Sequence, residues 1–125
     1  GAEATLAVSS REIVLFRRVN GLKTSWESLL AMLGGGYDLV LAEGFRSKAG
    51  NRKNVYKIVT ARSLEEAENI MREISAPVLA VVGWKVNWVG GNYKGKPLLR
   101  LPEEGEKLVH LLIEKLRLKK HFEKS

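Results

Sequence analysis

The alternation of apolar and polar stretches along the 125 residues predicts an order of elements. TLAVSS (5–10) and EIVLFRRV (12–19) are short runs rich in Val, Ile and Leu and predict strands. TSWESLLAML follows with Trp26, Leu29, Leu30 and Leu33 at helical spacing. Thr24 with Glu27 three residues on predicts a capping box at its start, and the Gly34-Gly35-Gly36 run its stop. YDLVLAEGF (37–45) predicts a buried strand, because Leu39 to Ala42 form a continuous apolar run between Asp38 and Glu43. FRSKAGNRKN (45–54) is a polar, basic loop, and VYKIV (55–59) the next strand. SLEEAENIMREI predicts a helix with Ser63 and Glu66 as a second capping box and Leu64, Ala67, Ile70, Met71 and Ile74 facing inward. APVLAVVG gives a further buried strand, then a hairpin at Gly90-Gly91-Asn92 and a short strand over 98–101. Pro102 opens a last helix with Val109, Leu112, Ile113 and Leu116 as its apolar face, and the charged tail RLKKHFEKS is expected to fray.

Strands alternating with helices predict a single α/β domain over residues 1–125, built on a mostly parallel sheet flanked by helices. In such sheets ligands collect at the carboxyl ends of the strands, so Glu43, which closes an apolar run, is placed to point into a site. Asp38 lies five residues back, about 16 Å away along a strand, and does not share that site.

Composition narrows the picture. With 45% hydrophobic and 28% charged residues, the chain has apolar material for one core and no sign of disorder. No stretch approaches the roughly 20 apolar residues of a membrane span, and the first residues lack a signal-peptide layout, so a cytoplasmic protein is expected. The absence of cysteine removes disulfides, thiolate nucleophiles and Cys-based zinc sites. The formal charge of +7 favours anionic partners such as nucleotides or phosphorylated cofactors, or is the surplus of a solvated surface. Nucleic acid is not expected, since the basic residues are scattered and no helix-turn-helix or RNA-binding signature accompanies them.

DLVLAEGFR, an apolar strand entered by Asp and left by Glu-Gly-Phe and a basic residue, resembles the Walker B region of the molybdopterin-guanine dinucleotide biosynthesis protein B family, MobB. GAEATLAVSS and IVLFRR are similar to the segment that precedes it there, so the resemblance covers roughly residues 1–60. It implies a P-loop NTPase-like fold and a GTP-binding accessory to the guanylyltransferase that attaches GMP to molybdopterin. It also implies Mg2+ and GTP as cofactors, with Glu43 at the metal, because a hydrated magnesium ion needs a nearby carboxylate. Glu43, Gly44, Arg46, Lys48, Arg52 and Lys53 are then the candidate binding residues, the cations receiving phosphates. Where the family tends to read Pro-Lys-Ile-Glu, this chain has Lys57 and Ile58 without the proline or the acid.

A P-loop requires Gly-x-x-x-x-Gly-Lys-Ser/Thr, and none occurs in these residues. NGLKTS offers Lys23, Thr24 and a helix start but lacks the first glycine and a strand ending before it. The sequence therefore resembles the family without its N-terminal third, as a short homologue, half of a split protein, or a fragment. Each case leaves an unpaired sheet edge, so a P-loop-bearing partner chain or self-association is expected. Activity is at most that of a weak GTPase. The alternatives are a non-enzymatic interaction module derived from a P-loop fold, or another P-loop ATPase or ligase relative. No Asn-Lys-x-Asp guanine motif is present; Trp84 or Trp88 is a stacking candidate for a base, with core packing the commoner role of such residues. His110 and His121 have no second ligand at zinc spacing beyond Glu114, and no Ser-His-Asp or Cys-His set can be assembled.

Overall fold

The protein is described by a computed structural model covering residues 2–18 and 23–117. These fall into two units that divide between Gly36 and Tyr37. In the first, β1 (Ala4–Val8) and β2 (Ile13–Arg17) pair antiparallel, from Ala4 opposite Arg17 to Val8 opposite Ile13. The connection is closed locally: the Ser9 amide donates to the Glu12 carbonyl (2.8 Å), and the Ser9 hydroxyl accepts from the Glu12 amide (3.1 Å). These two strands form a ribbon of their own rather than joining the parallel sheet, and every residue in them is exposed. The helix α1 (Trp26–Leu33) is capped by Ser25, whose side chain accepts from the Ser28 amide at 3.1 Å, not by Thr24 as the capping-box reading expects. Gly34, at φ +76°, ends it as predicted.

The second unit is a four-stranded mixed sheet flanked by helices, an α/β arrangement. Its elements are α2 (Arg46–Ala49), β3 (Lys57–Thr60), α3 (Leu64–Glu73), β4 (Val78–Trp84), β5 (Gly91–Tyr93), β6 (Lys96–Leu101) and α4 (Gly105–Leu116). Strand order is β3-β4-β6-β5; β4 runs parallel to both β3 and β6, and β5 pairs antiparallel with β6 at the edge. The run Val78 to Gly83 is buried throughout because β4 is an inner strand covered on both faces, the pattern its unbroken hydrophobicity predicts. On one side Val59, Val81 and Leu98 pack with Ala67, Ile70 and Met71 of α3 and with Ile74 just after it. On the other, Ala80, Val82 and Leu99 pack with Leu108 and Leu111 of α4. The sheet is thus a middle layer between two helices.

Within this core the Gly83 backbone lies against the indole of Trp88: a Cβ on Gly83 would sit 2.4 Å from a ring carbon and 2.6 Å from Val86. The Trp88 ring is buried, whereas Trp84 at the end of β4 is 64% exposed, so one tryptophan belongs to the core and the other to the surface. The β5–β6 hairpin is fastened to α3 by charge. The Tyr93 hydroxyl and Lys94 ammonium both donate to the Glu68 carboxylate. Lys94 first, then Tyr93, hold the Glu68 carboxyl down at about 2, and the same bond raises the Tyr93 phenol.

Four expectations are corrected here. Residues 37–45 do not form a strand: the segment is irregular and Leu41 is 78% exposed. A strand needs a neighbour to satisfy its N–H and C=O groups, and no strand among the described residues pairs with it. The basic loop is not wholly irregular, since Arg46–Ala49 closes a helical turn. The hairpin turn lies at Lys94-Gly95, both at positive φ (+50° and +77°), instead of at Gly90-Gly91-Asn92. Finally, α4 begins at Gly105, after a turn that contains Pro102, and presents Leu108 and Leu111 to the core while Val109 is exposed.

Candidate functional site

The segment that follows Glu43 is built to hold its shape. Gly44 adopts φ +78° with open space where a Cβ would sit, so glycine is required there by backbone conformation and not by crowding. The chain then turns into α2: the amides of Lys48 and Ala49 donate to the Phe45 carbonyl (3.1 and 2.8 Å), and that of Gly50 to the Arg46 carbonyl (2.9 Å). Gly50 is required for the opposite reason. A Cβ there would lie 2.4 Å from the Arg46 carbonyl oxygen and 3.0 Å from Ile74. Its own carbonyl accepts from the Ser75 amide at 2.9 Å, which ties the turn to the chain leaving α3.

Between this turn and the end of α3 lies a hollow of 460 Å³ lined by Gly44, Arg46, Ser47, Asn51 and Glu73. Arg46 Nη1 donates to Glu73 Oε2 at 2.8 Å, with both side chains more than half exposed. Of the residues the sequence puts forward, Gly44 and Arg46 line this hollow. Glu43 is exposed and immediately precedes it in the chain. Lys48, Arg52 and Lys53 do not line it. Arg52 is turned back on the loop, its Nε donating to the Lys48 carbonyl at 3.1 Å, and its own carbonyl accepts from Lys57 Nζ at 2.7 Å. Lys57 also donates to the Ala76 carbonyl (3.2 Å), and desolvation lowers its pKa. Part of the loop's positive charge therefore fastens the loop itself.

Ser47, Asn51 and Glu73 are lining residues that sequence reasoning does not reach. Ser47 and Asn51, four apart beside Arg46, carry a faint signal, as neutral donors on one turn of chain. Glu73 carries none, being 27 residues away and brought in only by the docking of α3. Asp38 is exposed in the irregular segment. Lys23 and Thr24 are described, but residues 20–22 of NGLKTS, like His121 and the tail from 118, lie outside the described residues.

A second hollow, also of 460 Å³, lies beside α4 and includes Pro97, Leu99, Glu104, His110, Leu111 and Glu114. Glu104 is committed to structure: its carboxylate accepts from the Arg100 amide (2.7 Å) and from Lys107 (3.0 Å), which holds its pKa low. Among the described residues no three His, Cys, Asp or Glu side chains are placed to share a metal ion.

The family model for molybdopterin guanine dinucleotide synthesis protein B, MobB, matches residues 1–84. The chain belongs to the MobB family. The match takes in the β1–β2 ribbon, DLVLAEGFR, the α2 turn, α3 and the whole of β4, ending at Trp84, and so reaches well past the roughly 60 residues that carry the resemblance in the sequence. MobB membership gives the chain a role in molybdopterin guanine dinucleotide synthesis. Searches of the curated proteins and of the solved structures found no match. No helix among the described residues is long and apolar enough to cross a membrane.

Proposed function

We propose that this MobB-family chain is an accessory to the guanylylation of molybdopterin and carries the Walker-B-like part of a GTP site in a P-loop NTPase-like fold. The observation that carries this reading is the family match running through Glu43 directly into a hollow that contains Arg46. An exposed carboxylate beside that hollow suits magnesium, which keeps most of its waters and takes one or two carboxylates together with phosphate oxygens. Glu43 would hold the ion, which when bound supplies positive charge to the phosphates. Arg46 offers a planar fork of donors to phosphate oxygens, and Ser47 and Asn51 add neutral hydrogen bonds in the same hollow. Lys48, Arg52 and Lys53 contribute charge from the loop around it.

The lysine-bearing phosphate cradle is supplied from outside residues 1–125, which contain no P-loop pattern. A P-loop-bearing partner chain is one such source; a further copy of residues 1–125 is not, since it brings no P-loop pattern. The exposed apolar run around Leu41 and the open edge of β3 support such pairing. Without a lysine to neutralise the β- and γ-phosphates, GTP hydrolysis by these residues is slow or absent. A second reading, an interaction module that has lost the nucleotide, is favoured by one observation: Leu6, Val8, Ile13, Leu15 and Phe16 of the ribbon are all more than half exposed.

The experiment that separates the two is Glu43→Gln, measured as GTP affinity with and without magnesium. Loss of the magnesium dependence in the variant supports the GTP-site reading. No GTP binding by either protein, with or without magnesium, supports the interaction module, and binding indifferent to both magnesium and the substitution removes Glu43 from the metal.

A further inference from the structure

We propose that Glu73 is an internal competitor for the anion site, a carboxylate that occupies the Arg46 guanidinium until a phosphate displaces it. The inference rests on the reading of the hollow as a phosphate site and adds its regulation. Both partners of the ion pair line the same 460 Å³ hollow, so an anion entering it meets a guanidinium whose Nη1 is already given to a carboxylate 2.8 Å away. The guanidinium fork that suits phosphate suits a carboxylate equally, and the two compete for the same N–H groups.

The position of Glu73 leaves its carboxylate without support from its own helix. Glu73 is the last residue of α3, where the helix dipole disfavours negative charge. The other acids of this helix are differently placed: Glu65 and Glu66 lie in the favourable first turn, and Glu68 is taken up by Lys94, Tyr93 and Arg72. Arg46 is thus the cation that compensates a carboxylate at an unfavourable helix end. Side-chain exposures of 52% and 59% make the pair weak and easily opened by a ligand. Ser47 and Asn51 remain as uncharged donors once Glu73 swings away. The consequence is a threshold. A single weak anion does not repay the displaced carboxylate, whereas a diphosphate, which offers more negative charge to the same fork, does.

The test is calorimetric titration with inorganic pyrophosphate, without magnesium, at low ionic strength, on the full chain and on Glu73→Gln, Arg46→Ala and Glu106→Gln. The last removes the same charge from an exposed position on α4. The proposal predicts that Glu73→Gln binds about fivefold more tightly than the unaltered chain, that the gain shrinks as salt is added, that Glu106→Gln gains little, and that Arg46→Ala loses binding. Equal affinities for Glu73→Gln and Glu106→Gln, with binding still dependent on Arg46, overturn the competition and leave the phosphate site standing. Absence of binding to every form overturns both.

Discussion

A methyl group added at Gly83 tests the packing at the centre of the sheet. Glycine inside a strand ordinarily costs about 0.5–1 kcal/mol relative to alanine, so Gly83→Ala taken alone predicts a more stable protein. The surroundings reverse the sign. The new Cβ would lie 2.4 and 2.5 Å from two carbons of the Trp88 ring and 2.6 Å from Val86 Cγ2, against ordinary contacts beyond 3.4 Å. The ring is rigid and buried in the same cluster as Val59, Ala67 and Val81, so relief requires moving it by about 1 Å into a packed core. Overpacking of this kind costs about 1–3 kcal/mol, and contacts this short belong at the upper end, which leaves a net destabilisation of about 2 kcal/mol after the strand gain. Urea denaturation followed by circular dichroism measures it as a lower midpoint at unchanged slope. In a Trp88→Leu background the obstructing ring is gone, and Gly83→Ala becomes neutral or stabilising, a coupling of about 1 kcal/mol or more between the two positions. A Gly83→Ala protein as stable as the parent, with Trp88 in place, would refute the packing described for this strand.

Three further outcomes follow from local contacts. Ser63→Ala removes the acceptor for the Glu66 amide (3.1 Å) at the start of α3 and lowers stability by about 1 kcal/mol in the same denaturation assay, while Ser63→Asp restores it. Gly95→Ala places a side chain at φ +77° in open space, so its cost of about 1 kcal/mol is backbone strain alone, and Gly95→Asn recovers much of it. Glu68 has a folded pKa near 2 against an ordinary 4.5, so the stability it contributes is complete above about pH 4.5 and is lost as pH falls towards 2. An acid titration of Glu68→Gln should therefore show a shallower loss of stability in that window than the parent; identical curves would mean that Glu68 does not fasten the β5–β6 hairpin.

How much of this was legible in the sequence depends on what each signal reports. The unbroken run at Val78 to Gly83 identified the inner strand because a strand buried on both faces has no polar side to alternate. Ser63 announced the start of α3 because its side chain and the Glu66 amide are neighbours in the chain. The run at Leu39 to Ala42 carries the same apolar signal and is nevertheless irregular and largely exposed, because hydrophobicity says what a segment would bury and not whether a partner is present. Near Thr24 the competing hydroxyl was adjacent: Ser25, with Ser28 three residues on, takes the cap. Of the lining of the hollow, Gly44 and Arg46 were legible, in one motif with Glu43, which precedes the hollow without lining it. Glu73 was not, since it reaches Arg46 only through the docking of α3 beside Gly50. The loop's cations could be counted but not sorted, and only the structure separates Arg46, which lines the hollow, from Arg52, which bonds its own loop.

The nucleotide site we propose is formed by the residues after the Leu39–Ala42 run. Its most direct test is calorimetric titration of the purified chain with GTP and magnesium, with ATP and magnesium alongside. Weak, saturable binding is expected, and a preference for GTP over ATP would extend the site to the base. No heat with either nucleotide would contradict it.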